Sequence, residues 1–545
     1  MKYLLTSGLV LCLFACTPPA SRETSDFQTF IDNFDPSAGR TSNDLDADSY
    51  LDELAWFDRQ LAILEQFDTS RMTFEENIDW QFAYSILKGR KIRQSHNQRW
   101  KMDPRIYMRF RTIANIIGEP GDPNDKLDRL KEKLDLVPLQ LANGERQLEI
   151  YVPRFQELSL FMANNAIVLF ENEIPSFNAG LEKSYELDDM VSKAREALGS
   201  FIDFLENELP TKPEGDFAMG KNTYNQMLSD EFLLDYSDET LWEFGKVQFA
   251  ITVTELETLA REIDNKKTWQ ELAIEIKNEF PDPYDMIAAH QLWVDSAKSH
   301  ILNNNLIPIP WNEQVRVVPR AQYLRKTSYY GNFSRARGKD EDSIYTARWM
   351  INPFEDRWDT QTKQEYLVEH DWGVIIVTAP HEAYGGHHVQ GLYQMHNPRK
   401  IRRENGLSLF SEGWGLYNEQ LMSETGFFPN KRIHLRQLQL RLWRNARVIY
   451  DVGIHTGKMS YEDAISLMTD EVGFLRWAAQ LEIDAASARP GYFIGYFIGM
   501  KEIMKMREQY QQKMGNDFTL SDFHKNILEI GNMPPKLMAK VLLSD

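Results

Sequence analysis

Three of the chain's eleven histidines fall within eight positions, in His381-Glu382-Ala383-Tyr384-Gly385-Gly386-His387-His388. Imidazoles beside a carboxylate are donors that zinc prefers, and the compact zinc-peptidase pattern H-E-x-x-H sets two of them one helical turn apart. Here the fourth position after His381 is Gly385, so that pattern is absent. On an unbroken helix His387 would stand about 240° around from His381, and His388 about 20° off but roughly 10 Å along the axis. Zinc–nitrogen bonds are about 2.0–2.1 Å, so neither pair closes on one ion without distortion. Gly385-Gly386 supplies the freedom for it, and the spacing predicts a bulge or a break in the helix at this point. Glu382 cannot easily bind the same ion as its neighbour His381. Its chemistry is that of a general base, taking a proton from the nucleophilic water and passing it to the leaving amine.

The stretch His381 to Gln390 resembles the H-E-x-x-P-G-H-H-x-Q signature of a large bacterial family known as domain of unknown function 885, which is grouped with zinc peptidases related to thimet oligopeptidase. Glu412-Gly413-Trp414-Gly415-Leu416-Tyr417-Asn418-Glu419 resembles that family's E-G-W-A-L-Y-x-E. Arg444-Asn445-Ala446-Arg447 with Asp451-Val452-Gly453-Ile454-His455 is similar to its R-x-x-R…D-x-G-x-H. Glu482-Ile483-Asp484, Pro490-Gly491 and Tyr496-Phe497-Ile498-Gly499 are similar to its E-V-x…P-G…Y-x-x-G. Gly385 stands where the family usually has Pro, and Gly415 where it usually has Ala. Both are small, flexible replacements that leave every ligand and acid in place.

The resemblance implies a mainly α, large helical, gluzincin-like peptidase fold with a deep cleft, Zn2+ as cofactor and short peptides as substrates. It implies His381 as first ligand, His387 as second with His388 as the alternative, and Glu412 as third. Glu419 lies two turns further along the Glu412 helix. It would accept a hydrogen bond from a ligand histidine, or serve as the ligand itself. For the oxyanion of the tetrahedral intermediate, the resembled blocks offer His455 and Tyr496. By spacing, Arg444, Arg447, Asp451 and His455 form one polar stripe opposite Leu435, Leu438, Leu442 and Ile449, with Arg447–Asp451 expected as an internal ion pair. Two other readings use the same residues. One is a different zinc amidohydrolase or esterase; the other is a non-catalytic binding lipoprotein that keeps the metal as a clamp.

The elements that must position these groups are helical. Asp52–Gln66, Phe74–Lys91, Lys126–Leu141, Leu181–Leu205 and Thr240–Asp264 carry apolar residues at three- and four-residue spacing. Between residues 305 and 354, Val315–Val318, Thr327–Tyr330 and Ile344–Ala347 are β-rich and separated by turn residues, which predicts a small antiparallel sheet. No linker divides the chain, so residues 26–545 are expected to be one large unit with the metal core at about 365–510.

A net charge of −20 excludes the clustered basic surface that nucleic acid requires. Downstream of residue 20 there is no apolar run long enough to span a bilayer. At the N-terminus a short apolar stretch leads to Leu13-Phe14-Ala15-Cys16, which resembles a bacterial lipobox. Residues 1–16 then read as a lipoprotein signal peptide with lipobox, and residues 17–25 as a tether. Thr17 after the cysteine resembles the outer-membrane sorting signal. The expected localisation is an outer-membrane lipoprotein of a Gram-negative bacterium, held by lipid on Cys16 and facing the periplasm or the cell surface. Cys12 and Cys16 are the only cysteines, so no thiol chemistry is expected beyond this segment.

Overall fold

The computed structural model describes residues 20–544 apart from 41, 97, 119–121, 180, 182–184, 321–330 and 341. The lipobox and the predicted strand Thr327–Tyr330 lie outside the described residues. The remainder is mainly helical with one small sheet, as the periodicity requires. Four of the five amphipathic segments form the helices Ala47–Leu64, Phe74–Ser95, Pro123–Gln147 and Asp238–Ile263, of which the second begins where its apolar pattern does and the other three begin earlier. The polar residues that start them act as caps. Thr73 and Glu76, for example, close a reciprocal capping box on the second. Leucine and phenylalanine side chains from these and neighbouring segments build a core around Leu130, Leu134, Phe170 and Phe201, separate from the larger core that surrounds the histidine cluster.

The sheet departs from expectation. Strands β1 (Glu313–Pro319) and β3 (Tyr345–Ile351) pair in parallel, and β2 (Asn332–Ser334) joins the other edge of β3 antiparallel, so the sheet is mixed. The two longer strands carry the alternating buried residues, Val315 and Val317 on one and Ala347, Trp349 and Ile351 on the other. Pairing them directly sets the two apolar rows side by side, Val315 opposite Ala347 and Val317 opposite Trp349.

Six helices position the histidine cluster: α1 (Asp238–Ile263), α2 (Met286–Asn303), α3 (Trp372–Glu382), α4 (His387–Met395), α5 (Ser408–Glu424) and α6 (Lys431–Thr456), with α7 (Ile494–Met514) behind them. Helix α3 starts at Asp371, whose carboxylate accepts from the Val374 amide at 3.0 Å and pairs with Arg436 of α6 at 2.8 Å. Helix α6 is buried at nearly every position from Leu435 to His455, so its polar stripe faces protein rather than water. Helices α5 and α7 cross with their backbones in contact. A Cβ on Gly499 would come 1.9 Å from the Leu409 carbonyl oxygen, and one on Gly413 would come 2.4 Å from the Gly499 backbone.

That crossing sets the position of the helix bearing Glu412 and Glu419, and it yields a stability prediction. Gly499→Ala should lower unfolding stability by at least about 2 kcal/mol, because backbone and not a movable side chain must yield. Gly199→Ala, on a helix where the added methyl meets nothing within 4 Å, should raise it by about 0.5–1 kcal/mol. Denaturant midpoints of the two variants against the parent check both signs.

Candidate metal centre and its cavity

The chain breaks where the glycines fall. Helix α3 ends at Glu382, Ala383 leaves the helical region (φ −109°, ψ −100°), Gly385 takes φ +97°, and α4 begins at His387. Gly386 lies so close to the end of α3 that a Cβ there would be 1.8 Å from the His381 carbonyl oxygen. A side chain at this position is excluded by space. The reversal is tied down by Trp414 of α5, whose indole N–H donates to the Gly385 carbonyl at 2.6 Å.

The reversal brings His387 back over His381, their rings perpendicular with centroids 4.9 Å apart. Both Nε2 atoms face one oxygen of Glu412: His387 Nε2 is 3.4 Å and His381 Nε2 3.8 Å from Oε2. Donors around a tetrahedral zinc, with bonds of about 2.0–2.2 Å, stand about 3.3–3.6 Å apart, so this spacing fits the ion. The Glu382 carboxylate also lies within 4.8 Å of both imidazoles.

His381 is gripped at both nitrogens by α5. Its Nδ1 donates to Glu419 Oε1 at 2.8 Å, which fixes the ring so that Nε2 faces Glu412. Between those two carboxylates on the same helix face sits Gly415, and a Cβ there would come 2.6 Å from the His381 ring. The ring therefore lies directly on the helix backbone. Burial disfavours a charged His381, but Glu412 and Glu419 outweigh it and lift its pKa to about 9. Burial likewise opposes the Glu412 charge, yet the facing His387 and His381 hold that carboxyl well below its ordinary range. The pocket is built to receive positive charge. The other Glu412 oxygen accepts from the Tyr492 hydroxyl at 2.8 Å.

His388 takes no part. It points the opposite way and meets Glu313 of β1 at 2.6 Å, in a buried cluster where Glu313 also accepts from Tyr384 (2.8 Å) and pairs with Lys298 of α2 (2.7 Å). His455 is also elsewhere. It is fully buried between Phe217 and Tyr224, 3.0 Å from the Ala486 carbonyl oxygen, with its pKa pushed down to about 4 by burial. It does not line the cavity. The expected Arg447–Asp451 pair does not form either. Arg447 Nε donates to Glu482 at 2.6 Å, while Asp451 accepts from the Tyr224 hydroxyl and from the Gly491 and Phe493 amides. Successive residues one turn apart on α6 thus face different neighbours, which spacing along a single helix does not reveal.

Tyr496 is at the site. Its ring is nearly parallel to that of His381 (centroids 6.3 Å apart, 19° between planes), and its hydroxyl is 3.4 Å from that of Tyr492. The Arg447 guanidinium covers the other side of the Tyr496 ring, 4.2 Å from its centroid. Sequence reasoning missed Tyr492, although it follows directly on the Pro490-Gly491 block. It also missed Arg335, which no motif marks.

The centre opens into a cavity of about 410 Å³. One wall is a face of α3 (Val374, Thr378, His381, Glu382) and the other a face of α6 (Leu440, Trp443, Arg444, Arg447). Phe333, Arg335 and Trp349 come from the sheet region, and His290 and His370 also line the cavity.

The chain matches, over residues 32–542, the family described as "Bacterial protein of unknown function (DUF885)". It belongs to that family. Among solved structures the fold is similar to a "putative lipoprotein of unknown function" from Shewanella oneidensis, with TM-score 0.77, 21% identity, and 96% of this chain and 99% of that one covered. It is also similar to a protein from Colwellia psychrerythraea that carries the same lipoprotein description, with TM-score 0.76, 16% identity, and 96% of each chain covered. Comparison with curated protein sequences finds no match.

The opposed directions of two adjacent histidines separate metal binding from folding. His387→Ala should abolish stoichiometric zinc binding in equilibrium dialysis while leaving the thermal transition near that of the parent. His388→Ala should retain zinc but lose up to about 3 kcal/mol of stability, because Glu313 loses a buried partner.

Proposed function

We propose that this protein is a zinc-dependent peptidase of gluzincin type that hydrolyses short peptides. The observation that carries the reading is the convergence of His387 Nε2 and His381 Nε2 on Glu412 Oε2 at 3.4 Å and 3.8 Å, with Glu382 beside them and a cavity in front. Two imidazoles and one carboxylate are a common donor set of catalytic zinc, and they leave a coordination position for the reaction. A zinc ion held by these three residues would supply a polarised water and an electrophilic contact for the peptide carbonyl.

The chain's own groups do the rest. Glu382 receives the proton that the attacking water gives up and returns it to the leaving nitrogen, so the amine departs neutral. The Tyr496 hydroxyl, poised beside the His381 ring, donates to the oxygen that gains negative charge as the carbonyl becomes tetrahedral. Glu419 keeps His381 in the tautomer that faces the ion, and Tyr492 holds the second Glu412 oxygen so that the first is presented. The narrow space between α3 and α6 favours an extended strand of a few residues over a folded protein.

The same reading places the protein outside the cytoplasm, lipidated on Cys16 and anchored in the outer membrane. It rests on the lipobox-like segment, and the lipoprotein descriptions of the two structural relatives agree with it.

Glu382→Gln should bind zinc as tightly as the parent but cleave unstructured peptides at least about 100-fold more slowly, the usual worth of a positioned general base. Cleavage by mass spectrometry and zinc content by elemental analysis check the two halves. Unchanged hydrolysis with zinc bound would refute the role of Glu382.

A further inference from the structure

Three guanidinium groups line the cavity, and two of them are matched. Arg447 is bonded to Glu482 at 2.6 Å, and Arg335 donates to the Gln394 side chain at 3.2 Å, although burial still holds its pKa below the usual range against the pull of Glu412 and Glu382. Arg444 is different. It is only 5% exposed, its Nε has no hydrogen-bond partner, and one Nη reaches only the Leu440 carbonyl at 3.3 Å. Its nearest anion is Glu419 Oε1 at a long 3.7 Å, and that oxygen already accepts from His381 Nδ1. The Arg444 guanidinium lies over the Trp443 ring, its Cζ 4.1 Å from the centroid. A buried, incompletely paired guanidinium in a cavity wall is costly unless an anion completes it.

The surrounding charge points the same way. With a dication at the centre, three guanidinium groups and the metal face Glu382, Glu412, Glu419 and Glu482, an excess of one positive charge in a water-poor space. One carboxylate on the ligand neutralises it. Arg444 and His381 both approach Glu419 Oε1, at 3.7 Å and 2.8 Å, so an anion on Arg444 lies near the His381 centre. Trp349, His290 and His370 line the same cavity.

We infer that Arg444 is a specificity-determining residue that binds the free C-terminal carboxylate of a peptide, making the enzyme a C-terminal exopeptidase. This deepens the peptidase reading and rests on it for the cleavage step. The carboxylate would meet the guanidinium through paired N–H donors, which a neutral carboxamide cannot match.

The test uses N-acetyl-tetra-alanine with a free carboxylate and its C-terminal carboxamide. Zinc-loaded parent protein is assayed for hydrolysis, and zinc-loaded Glu382→Gln protein for binding by calorimetry. The acid should exceed the amide by about tenfold or more in both kcat/KM and affinity, the usual worth of hydrogen bonds to a charged group. Arg444→Gln should bring the acid-to-amide ratio toward one, and Arg444→Lys should keep part of it. Equal binding of the two peptides, or binding of neither, overturns the inference, as does an unchanged ratio in a folded Arg444→Gln protein. Preferred binding of the acid without hydrolysis upholds the carboxylate site and refutes the peptidase reading instead.

Discussion

The geometry of the site hangs on one contact: the His381 imidazole lying on the bare backbone of α5 at Gly415, with a carboxylate of the same helix at each of its nitrogens. Glu412 and Glu419 are two turns apart on one face, and the ring fills the gap between them. No side chain fits beneath it without displacing the ring. The contact fixes the distance between α3 and α5 and the ring of His381, so that Nε2 faces Glu412. The close crossing of α5 with α7 at Gly413 and Gly499 then holds α5 itself at the required depth.

A second constraint acts on the other histidine. His387 can reach Glu412 only because the chain turns back at Gly385 and Gly386. The turn is held from outside, by Trp414 on one side and by the Glu313 cluster of Tyr384, His388 and Lys298 on the other. Neighbours in sequence thus serve opposite ends of one device. His387 faces Glu412 and His388 anchors the turn. An irregular segment with buried polar groups persists when every such group finds a partner, and most of those here do.

Around this centre the charges are layered. Carboxylates close to His381 and His387 favour a cation, while guanidinium groups on α6 and near β2 ring the cavity further out. Burial raises the energy of each unpaired charge, so the arrangement is selective for what it receives: positive at the centre, negative beside it. This is a pattern suited to holding a metal and an anionic ligand together, and it accounts for buried arginines in a chain whose surface is strongly acidic.

The residue types alone pointed to the histidines and acids that the fold brings together. The failure of His381, His387 and His388 to match helical periodicity, with two glycines between them, required a break in the helix, and the break is there. Amphipathic spacing similarly determined that the chain is mainly helical. Sequence could not decide which second histidine faces Glu412, because His387 and His388 differ by one residue and the direction of each depends on a partner in a remote element, Glu412 or Glu313. Nor could it find that His455 lies in a separate aromatic pocket, that Arg447 pairs with Glu482 rather than Asp451, or that β1 and β3 run parallel. Each of these depends on which side chain a distant segment brings within reach. Local spacing sets only the angle around one helix or the face of one strand, and the partner across the gap is chosen by the packing of the whole chain.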